Sequence, residues 1–261
     1  MSTALNAPTS PSRASSTRPT GASVPQRPSP TNPQCFSRQD PRGLSLTRGA
    51  QRYLRYRRAL DIAVAGILLA LCAPLLAALI AAIRLTSRGG AIYSQRRVGL
   101  NGQVFTIYKL RSMRLDAERT TGAVWSLPGD PRITMVGRFL RWTHFDELPQ
   151  LVNILRGDMA LIGPRPERPE IVADLAQRIP HYLDRLKVLP GVTGLAQVSL
   201  PPDTDLQSVR RKTALDRRYA EAVGLGLDLH ILFCTFMMLF GLQRRVDASA
   251  WQSFTPTTTN A

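Results

Sequence analysis

One long apolar run dominates the chain: residues 59–83, ALDIAVAGILLALCAPLLAALIAAI, contain a single charged residue, Asp61. As one helix the run would measure roughly 37 Å at about 1.5 Å per residue, which is enough to cross a hydrocarbon core of about 30 Å. It is too long for the apolar part of a signal peptide and lies too far from the N-terminus. We therefore expect the chain to enter a membrane through this segment.

Both flanks of the apolar run are basic, and arginine next to a membrane segment favours the cytoplasmic side. The flanking arginines are Arg52, Arg55, Arg57 and Arg58 before the run and Arg84, Arg88, Arg96 and Arg97 after it. Pro74 interrupts the run, and proline removes a backbone donor and bends a helix. These features predict a re-entrant helix-break-helix that turns at Pro74 and returns to the face it entered. A single kinked span and a buried helix of a soluble core are the alternatives.

The net charge of +16 is unevenly spread, because residues 1–58 hold ten arginines and one aspartate. Such an excess suits either an anionic membrane surface or a nucleic acid. No zinc-finger or RNP-like pattern accompanies the basic residues, so the expected partner is an anionic membrane surface and not a nucleic acid. A membrane-anchored nucleic-acid-binding protein is the alternative of another class. Three widely spaced cysteines without a CxxC pair fit a reducing, cytoplasm-facing environment.

Composition and periodicity divide the chain into four segments. Residues 1–50, rich in Ser, Pro and Arg, are predicted to form a disordered tail, with an organelle transit peptide as the alternative. Residues 51–88 form the membrane-inserted helix with its break at Pro74. Residues 89–242 are predicted to fold as an α/β domain, mostly helical with a small sheet, and residues 243–261 form a flexible tail.

Within the folded domain, apolar periodicity predicts a strand over Val104–Met113 whose Lys109 and Arg111 side chains point the same way. A helix is predicted over Glu147–Arg156, ending at Gly157. A charged helix is predicted over Leu206–Val223, and a glycine turn that feeds a strand over Pro190–Val198. The apolar segment Ile231–Gly241 is too short to span a membrane and is predicted to lie in the core or at the membrane interface.

The adjacent carboxylates Asp146 and Glu147 are the first candidates for chemistry. Two neighbouring carboxylates can hold Mg²⁺ and also present an oxygen to a phosphorus atom. Aspartate is ionised at neutral pH, so it needs no general base to act as a nucleophile. The alternative is structural, because an acid in the first turn of a helix satisfies free backbone amides.

Three basic side chains are candidates for binding phosphate. Lys109 and Arg111 share a strand face and could clamp a phosphate, or they could form a solvated face. Arg165 stands between Pro164 and Pro166, which stiffen the loop and aim the side chain, although an exposed turn would have the same pattern.

A DxD motif, Asp203-Thr204-Asp205, offers a second candidate site. In many nucleotide-sugar glycosyltransferases a DxD binds the metal and the diphosphate. Here the motif directly precedes the helix predicted from Leu206, so helix capping is the favoured explanation.

The string from Arg141 to Pro166, RWTHFDELPQLVNILRGDMALIGPRP, resembles the signature of the bacterial sugar transferases, the monotopic polyprenyl-phosphate phosphoglycosyl transferases. Further pieces similar to this family occur in the same order: RRVGLNGQVFTIYKLRSM, PGVTGLAQV and LDLHILFCTFMMLFG. The resemblance covers residues 55–242. One departure is Ala73-Pro74, which stands where the family often has Ser-Pro.

The resemblance implies an enzyme of the bacterial inner membrane whose catalytic domain, residues 89–242 here, faces the cytoplasm and rests on the membrane through interfacial helices. Such enzymes transfer a sugar 1-phosphate from a UDP-sugar to undecaprenyl phosphate and release UMP. This reaction starts the assembly of an exopolysaccharide, an O-antigen or a similar glycan. Mg²⁺ is required, and a homodimer is one expected form.

The resemblance also implies roles for individual residues. Asp146 would attack the β-phosphorus and form a covalent phosphosugar intermediate, Glu147 would bind Mg²⁺, and Arg165 would contact phosphate. The expected set of substrate- and phosphate-binding residues is Lys109, Arg111, Arg165 and Gln197. The alternative function is a glycosyltransferase that uses Asp203 and Asp205 and releases UDP.

Overall fold

The computed structural model describes residues 44–115, 117 and 130–242. It is α/β and mostly helical, as the sequence predicts, with two small two-stranded sheets where one was expected. The predicted C-terminal tail lies outside the described residues, as does the predicted N-terminal tail up to residue 43.

The apolar run belongs to one helix of 39 residues, α1, which spans Arg48–Thr86. The helix begins inside the predicted tail, because the Thr47 hydroxyl accepts a hydrogen bond from the Ala50 amide and caps it. Pro74 lies within α1, which continues through it, so the break predicted there is not confirmed. By length and composition α1 could cross a membrane.

One stripe of α1 packs against the folded domain over almost its entire length, while other positions expose leucine and isoleucine. The buried members of this stripe are Ala50, Arg57, Asp61, Ala65, Leu79 and Ile83. Ala65 packs beside Ile107 and Ile154, and Leu79 beside Leu110, so both halves of α1 contact the same domain. Between them Leu71 is 70% exposed.

A β-hairpin follows α1. Strand β1 (Ile92–Val98) pairs antiparallel with β2 (Val104–Leu110). The connection contains Asn101 at φ 51°, a left-handed conformation that asparagine tolerates. Strand β2 confirms the predicted strand but ends three residues early, so Arg111 lies just beyond it.

Six α-helices, a 3₁₀ helix over Tyr182–Lys187 and two short strands complete the described fold. The helices are α2 (Met135–Thr143), α3 (Gln150–Arg156), α4 (Pro169–Arg178), α5 (Leu195–Ser199), α6 (Leu206–Ala222) and α7 (Leu225–Leu239). Strand β3 (Ala160–Ile162) pairs parallel with β4 (Gly191–Thr193). Helix α3 begins after a 3₁₀ turn at Phe145–Glu147 and ends, as predicted, at Gly157, which has φ 97°.

The prediction of a glycine turn that feeds a strand over Pro190–Val198 is wrong in its second half. Strand β4 comes first, and the chain then enters helix α5 after the extended residue Gly194. Short apolar runs do not distinguish helix from strand by periodicity. Helix α5 buries Leu195, Ala196 and Val198, and its Gln197 side chain donates to the Val192 carbonyl at 2.8 Å.

Candidate active site

Asn153 fixes helix α3 to strand β2 through two hydrogen bonds. Its side chain is fully buried, donates to the Thr106 carbonyl at 2.7 Å and accepts from the Tyr108 amide at 3.1 Å. The side-chain amide thus takes the place of a neighbouring strand and satisfies backbone groups that β2 would otherwise leave unpaired. Because α3 is fixed in this position, the residues just before it lie beside the end of β2.

Three of the predicted site residues meet at this point. The Glu147 carboxylate accepts hydrogen bonds from Lys109 Nζ at 2.8 Å and from Arg165 Nη2 at 2.5 Å, both at Oε1. Arg165 Nη1 lies 3.4 Å from Oε2. Two cations on one carboxylate make charge-assisted hydrogen bonds, which are shorter and stronger than neutral ones.

The two cations decide the charge state of Glu147. Burial alone would raise its pKa, but Arg165 and Lys109 outweigh burial and hold the pKa well below its usual range. For Lys109, burial and the nearby Arg165 lower the pKa against the opposing effect of Glu147. The Glu147 carboxylate is therefore ionised at neutral pH.

The pKa of Asp146 shifts in the opposite direction. Burial, and then the negative charge of Glu147, raise its pKa, while Lys109, Arg141 and Arg165 oppose the rise. In the described part of the chain its half-buried carboxylate accepts no hydrogen bond, and its oxygens reach solvent. The site therefore combines an unpaired carboxylate with a group of cations that can neutralise phosphate.

The loop that carries Arg165 is held at every carbonyl from Pro164 to Glu167. The donors are the backbone amides of Gly191 and Val98 and the guanidinium groups of Arg185 and Arg97. A Cβ on Gly163 would clash with the Leu189 carbonyl, so only glycine allows this close approach of two backbones. Arg165 is consequently aimed at Glu147 from a rigid support.

Buried ion pairs lie behind this loop. Arg185 pairs with Asp216 at 2.7 Å, and both side chains are almost fully buried. Lys212 contacts Glu167 at 2.7 Å and Asp203 at 2.8 Å. Sequence reasoning missed Arg185, Asp216 and Lys212, because no spacing relates them to the GPRP loop (Gly163–Pro166) before the chain is folded.

Arg141 is a further site residue that the sequence analysis did not single out. Its Nε donates to Ser112 Oγ at 2.9 Å, and its charge lowers the pKa of Asp146. The only available signal was its position five residues before Asp146, which alone does not distinguish it from other arginines of the basic chain.

Two predicted residues occupy other places. Arg111 Nη2 donates to Ser87 Oγ at 2.6 Å, at the end of α1. The buried Oε1 atom of Gln197 has no hydrogen-bond partner in the part of the chain that the structure describes. Among the described contacts neither side chain joins Glu147, so their roles in binding substrate stay predictions.

The two carboxylates of the DxD motif have structural roles. Asp205 caps α6 by accepting from the Ser208 amide at 2.7 Å, and Ser208 completes a capping box. Asp203 is paired with Lys212. The capping interpretation is thus confirmed, and in the described ranges no three His, Cys, Asp or Glu side chains group as a metal site.

The acid pair has the donor chemistry that a magnesium ion requires. Mg²⁺ prefers oxygen ligands and is commonly held by one or two carboxylates together with substrate phosphates. Glu147 is ionised, so its carboxylate would hold the ion, with phosphate oxygens completing its coordination.

Comparisons with known proteins identify the family of the chain. The model of the bacterial sugar transferase family matches residues 52–241. A protein of Bacillus subtilis (strain 168), provisionally named as an undecaprenyl-phosphate N-acetylgalactosaminyl 1-phosphate transferase, is 48% identical over 151 residues, which are 58% of this chain and 84% of that protein.

Two further relatives carry substrate names. The UDP-glucose:undecaprenyl-phosphate glucose-1-phosphate transferase of Caulobacter vibrioides is 44% identical over 181 residues, 69% of this chain and 67% of the relative. The UDP-N-acetylgalactosamine-undecaprenyl-phosphate N-acetylgalactosaminephosphotransferase of Aeromonas hydrophila is 41% identical over 183 residues, 70% of this chain but 43% of the relative. The chain therefore spans less than half the length of the Aeromonas protein.

The family match includes most of α1, the hairpin, the acid pair and the GPRP loop, which are the parts that build the site. Because it covers most of the sequence, this chain belongs to the bacterial sugar transferase family.

Proposed function

We propose that the chain transfers a sugar 1-phosphate from a UDP-sugar to undecaprenyl phosphate, releases UMP and so starts the assembly of a glycan. The observation that carries this proposal is the unpaired Asp146 carboxylate next to the Lys109–Glu147–Arg165 cluster. The names of the relatives from Caulobacter and Aeromonas support the substrate classes.

The reaction divides into two displacements at one phosphorus. An Asp146 oxygen attacks the β-phosphorus of the UDP-sugar, the bond to the bridging oxygen breaks, and UMP leaves with that oxygen. The sugar phosphate is then held on Asp146 as a mixed anhydride. An oxygen of undecaprenyl phosphate attacks the same phosphorus, the Asp146 carboxylate leaves, and a lipid diphosphate sugar forms.

Both substrates are anions, so the site must neutralise charge where they meet. Arg165 and Lys109 supply two positive charges within hydrogen-bond distance of Glu147, next to the attacking carboxylate. Arg165 is held by its loop and Lys109 by strand β2, so little reorganisation is needed during the reaction.

A bound Mg²⁺ would stabilise charge on the transferring phosphate. Glu147 would hold it, because this carboxylate stays ionised at low pH. We expect Glu147→Gln to remove activity together with its dependence on Mg²⁺, measured as UMP release over a magnesium titration. Activity with an unchanged magnesium response would contradict the role of Glu147 as a ligand.

The membrane attachment that we propose is re-entrant, with the catalytic domain on the cytoplasmic side. The support is that the same domain packs against α1 on both sides of Pro74, which a helix crossing the bilayer could not allow. Apolar side chains of α7 are exposed as well, among them Phe233 and Phe236 at 55% and 53%. An interfacial α7 would bring the site to the headgroup level, where the phosphate of undecaprenyl phosphate lies.

The first experiment follows nucleotide release by membranes that contain the chain, with UDP-glucose or UDP-N-acetylgalactosamine, undecaprenyl phosphate and Mg²⁺. We expect UMP release that requires the lipid and disappears in Asp146→Asn. Asp174→Asn, on the exposed face of α4, is the matched control and should keep wild-type activity. Release of UDP, or UMP release by Asp146→Asn, would contradict the proposal.

A further inference from the structure

Guanidinium contacts tie helix α1, or the residue that follows it, to a segment next to each member of the Lys109–Glu147–Arg165 cluster. Arg111, two residues after Lys109, donates to Ser87 immediately beyond α1. Arg58 contacts helix α3, which follows Glu147, and Arg57 contacts strand β3, which precedes the Arg165 loop.

Arg58 satisfies the open end of α3. Its guanidinium donates to the Ile154 carbonyl at 2.5 Å and to the Met159 carbonyl at 3.2 Å, and it lies 3.4 Å from the Leu155 carbonyl. The last carbonyls of a helix lack partners within the helix, and a cation there also complements the helix dipole. Arg58 therefore fixes the C-terminal end of the helix whose N-terminal side carries the acid pair.

Arg57 donates a hydrogen bond to the strand that precedes the GPRP loop. Its Nη2 donates to the carbonyl of Ile162, the last residue of β3, at 3.1 Å. Its other contacts hold it in place: Nη1 donates to the Tyr219 hydroxyl at 2.6 Å and to Asp228 at 2.9 Å. The side chain is only 6% exposed, so these contacts are made without competition from water.

We propose that Arg57 and Arg58 are positioning residues of the transfer reaction, through which α1 sets the separation between the acid pair and Arg165. This inference rests on the proposed function. Arg58 fixes the position of the acid pair through α3, and Arg57 fixes the position of Arg165 through β3. Because both arginines lie on the same turn of α1, the packing of this helix against the domain also determines the geometry of the site.

The test uses the full chain in membranes, with whichever of UDP-glucose and UDP-N-acetylgalactosamine gives UMP release. We expect Arg58→Ala to lower kcat about tenfold or more, because small displacements of reacting groups are costly, with KM for the UDP-sugar and the melting temperature little changed. Arg58→Lys should restore only part of kcat, since ammonium lacks the planar fork that reaches several carbonyls. Added guanidinium should raise kcat of Arg58→Ala but not of Asp146→Asn.

Two variants complete the design. Arg55→Ala removes one positive charge from an exposed position of the same helix, one turn before Arg58, and should leave kcat unchanged. Arg57→Lys keeps the charge beside Asp61 and Asp228 while weakening the contact to Ile162, and should lower kcat without loss of the folded protein.

The outcomes separate this inference from the proposed function. Wild-type kcat in Arg58→Ala, while Asp146→Asn is inactive, would overturn the positioning role alone. A fall in activity that follows only the folded or membrane-bound fraction of Arg58→Ala would also overturn it. No UMP release by the wild-type chain, or UMP release by Asp146→Asn, would overturn the proposed function itself.

Discussion

At the scale of single residues, the site gives two adjacent carboxylates opposite properties. The Glu147 carboxylate accepts hydrogen bonds from Lys109 and Arg165 and has a strongly lowered pKa, whereas the Asp146 carboxylate accepts neither and has a raised pKa. This division suits the proposed chemistry. A charge that remains in place can hold a metal ion, while an oxygen without hydrogen bonds keeps its lone pairs for attack on phosphorus.

The raised pKa of Asp146 leads to a prediction about pH. Only the ionised carboxylate attacks, so activity is present above this pKa and is lost as the pH falls through it. Arg141 lowers the pKa of Asp146, so Arg141→Gln should raise that pKa and move the acid side of the pH–rate profile to higher pH. Arg138→Gln, an exposed position on the same helix, is the control, and profiles that coincide would contradict the prediction.

The sequence could indicate Asp146, Glu147, Lys109 and Arg165, because each lies within a recognisable string. It could not indicate that Arg111 turns away to Ser87, since that depends on β2 ending at Leu110. The sequence also could not indicate that Arg185 and Arg97 hold the GPRP loop. They act through backbone carbonyls of a distant loop, and a carbonyl leaves no trace in the amino-acid sequence.

At the scale of elements, the sequence predicted the helix boundaries at which a side chain or a glycine caps the helix. Helix α3 ends at Gly157 and α6 begins after Asp205, both as expected from capping chemistry. Helix α5 was predicted as a strand, because a short apolar segment with a preceding glycine suits either structure. Its helical state depends on packing against the core, where Leu195 is 2% exposed.

The cap on α6 provides a prediction that also tests the discarded glycosyltransferase alternative. Asp205→Ala removes the acceptor for the Ser208 amide and should lower the melting temperature by a few degrees, because the first turn loses its cap. Activity and its magnesium dependence should be unchanged at temperatures where the protein is folded. Thr204→Ala, whose exposed side chain caps nothing in the described structure, is the control. A selective loss of magnesium dependence in Asp205→Ala would restore the DxD motif as a metal site.

At the scale of the whole molecule, the relation between α1 and the domain decides how the protein meets the membrane. The length and hydropathy of α1 allow a complete crossing, and neither property distinguishes a crossing from a re-entrant insertion. The packing favours the re-entrant insertion that we propose, because Ala65 and Leu79 contact one domain from opposite sides of Pro74. In a re-entrant arrangement, a domain that touches both halves of the helix would lie on one side of the bilayer.

This geometry predicts that both ends of α1 are reached from the cytoplasm alone. In a chain with its three cysteines replaced by alanine, cysteines introduced at the exposed positions Arg52 and Gly90 should react with an impermeant maleimide only after spheroplasts are opened. A cysteine in place of Leu71, exposed from the protein but close to Pro74, should stay protected by lipid in both conditions and react after detergent is added. Labelling of either Arg52→Cys or Gly90→Cys in intact spheroplasts would show that α1 crosses the membrane. The contacts of both halves of α1 with one domain could then not exist in the bilayer, and the positions of Arg57 and Arg58 beside the site would have to be reconsidered with them.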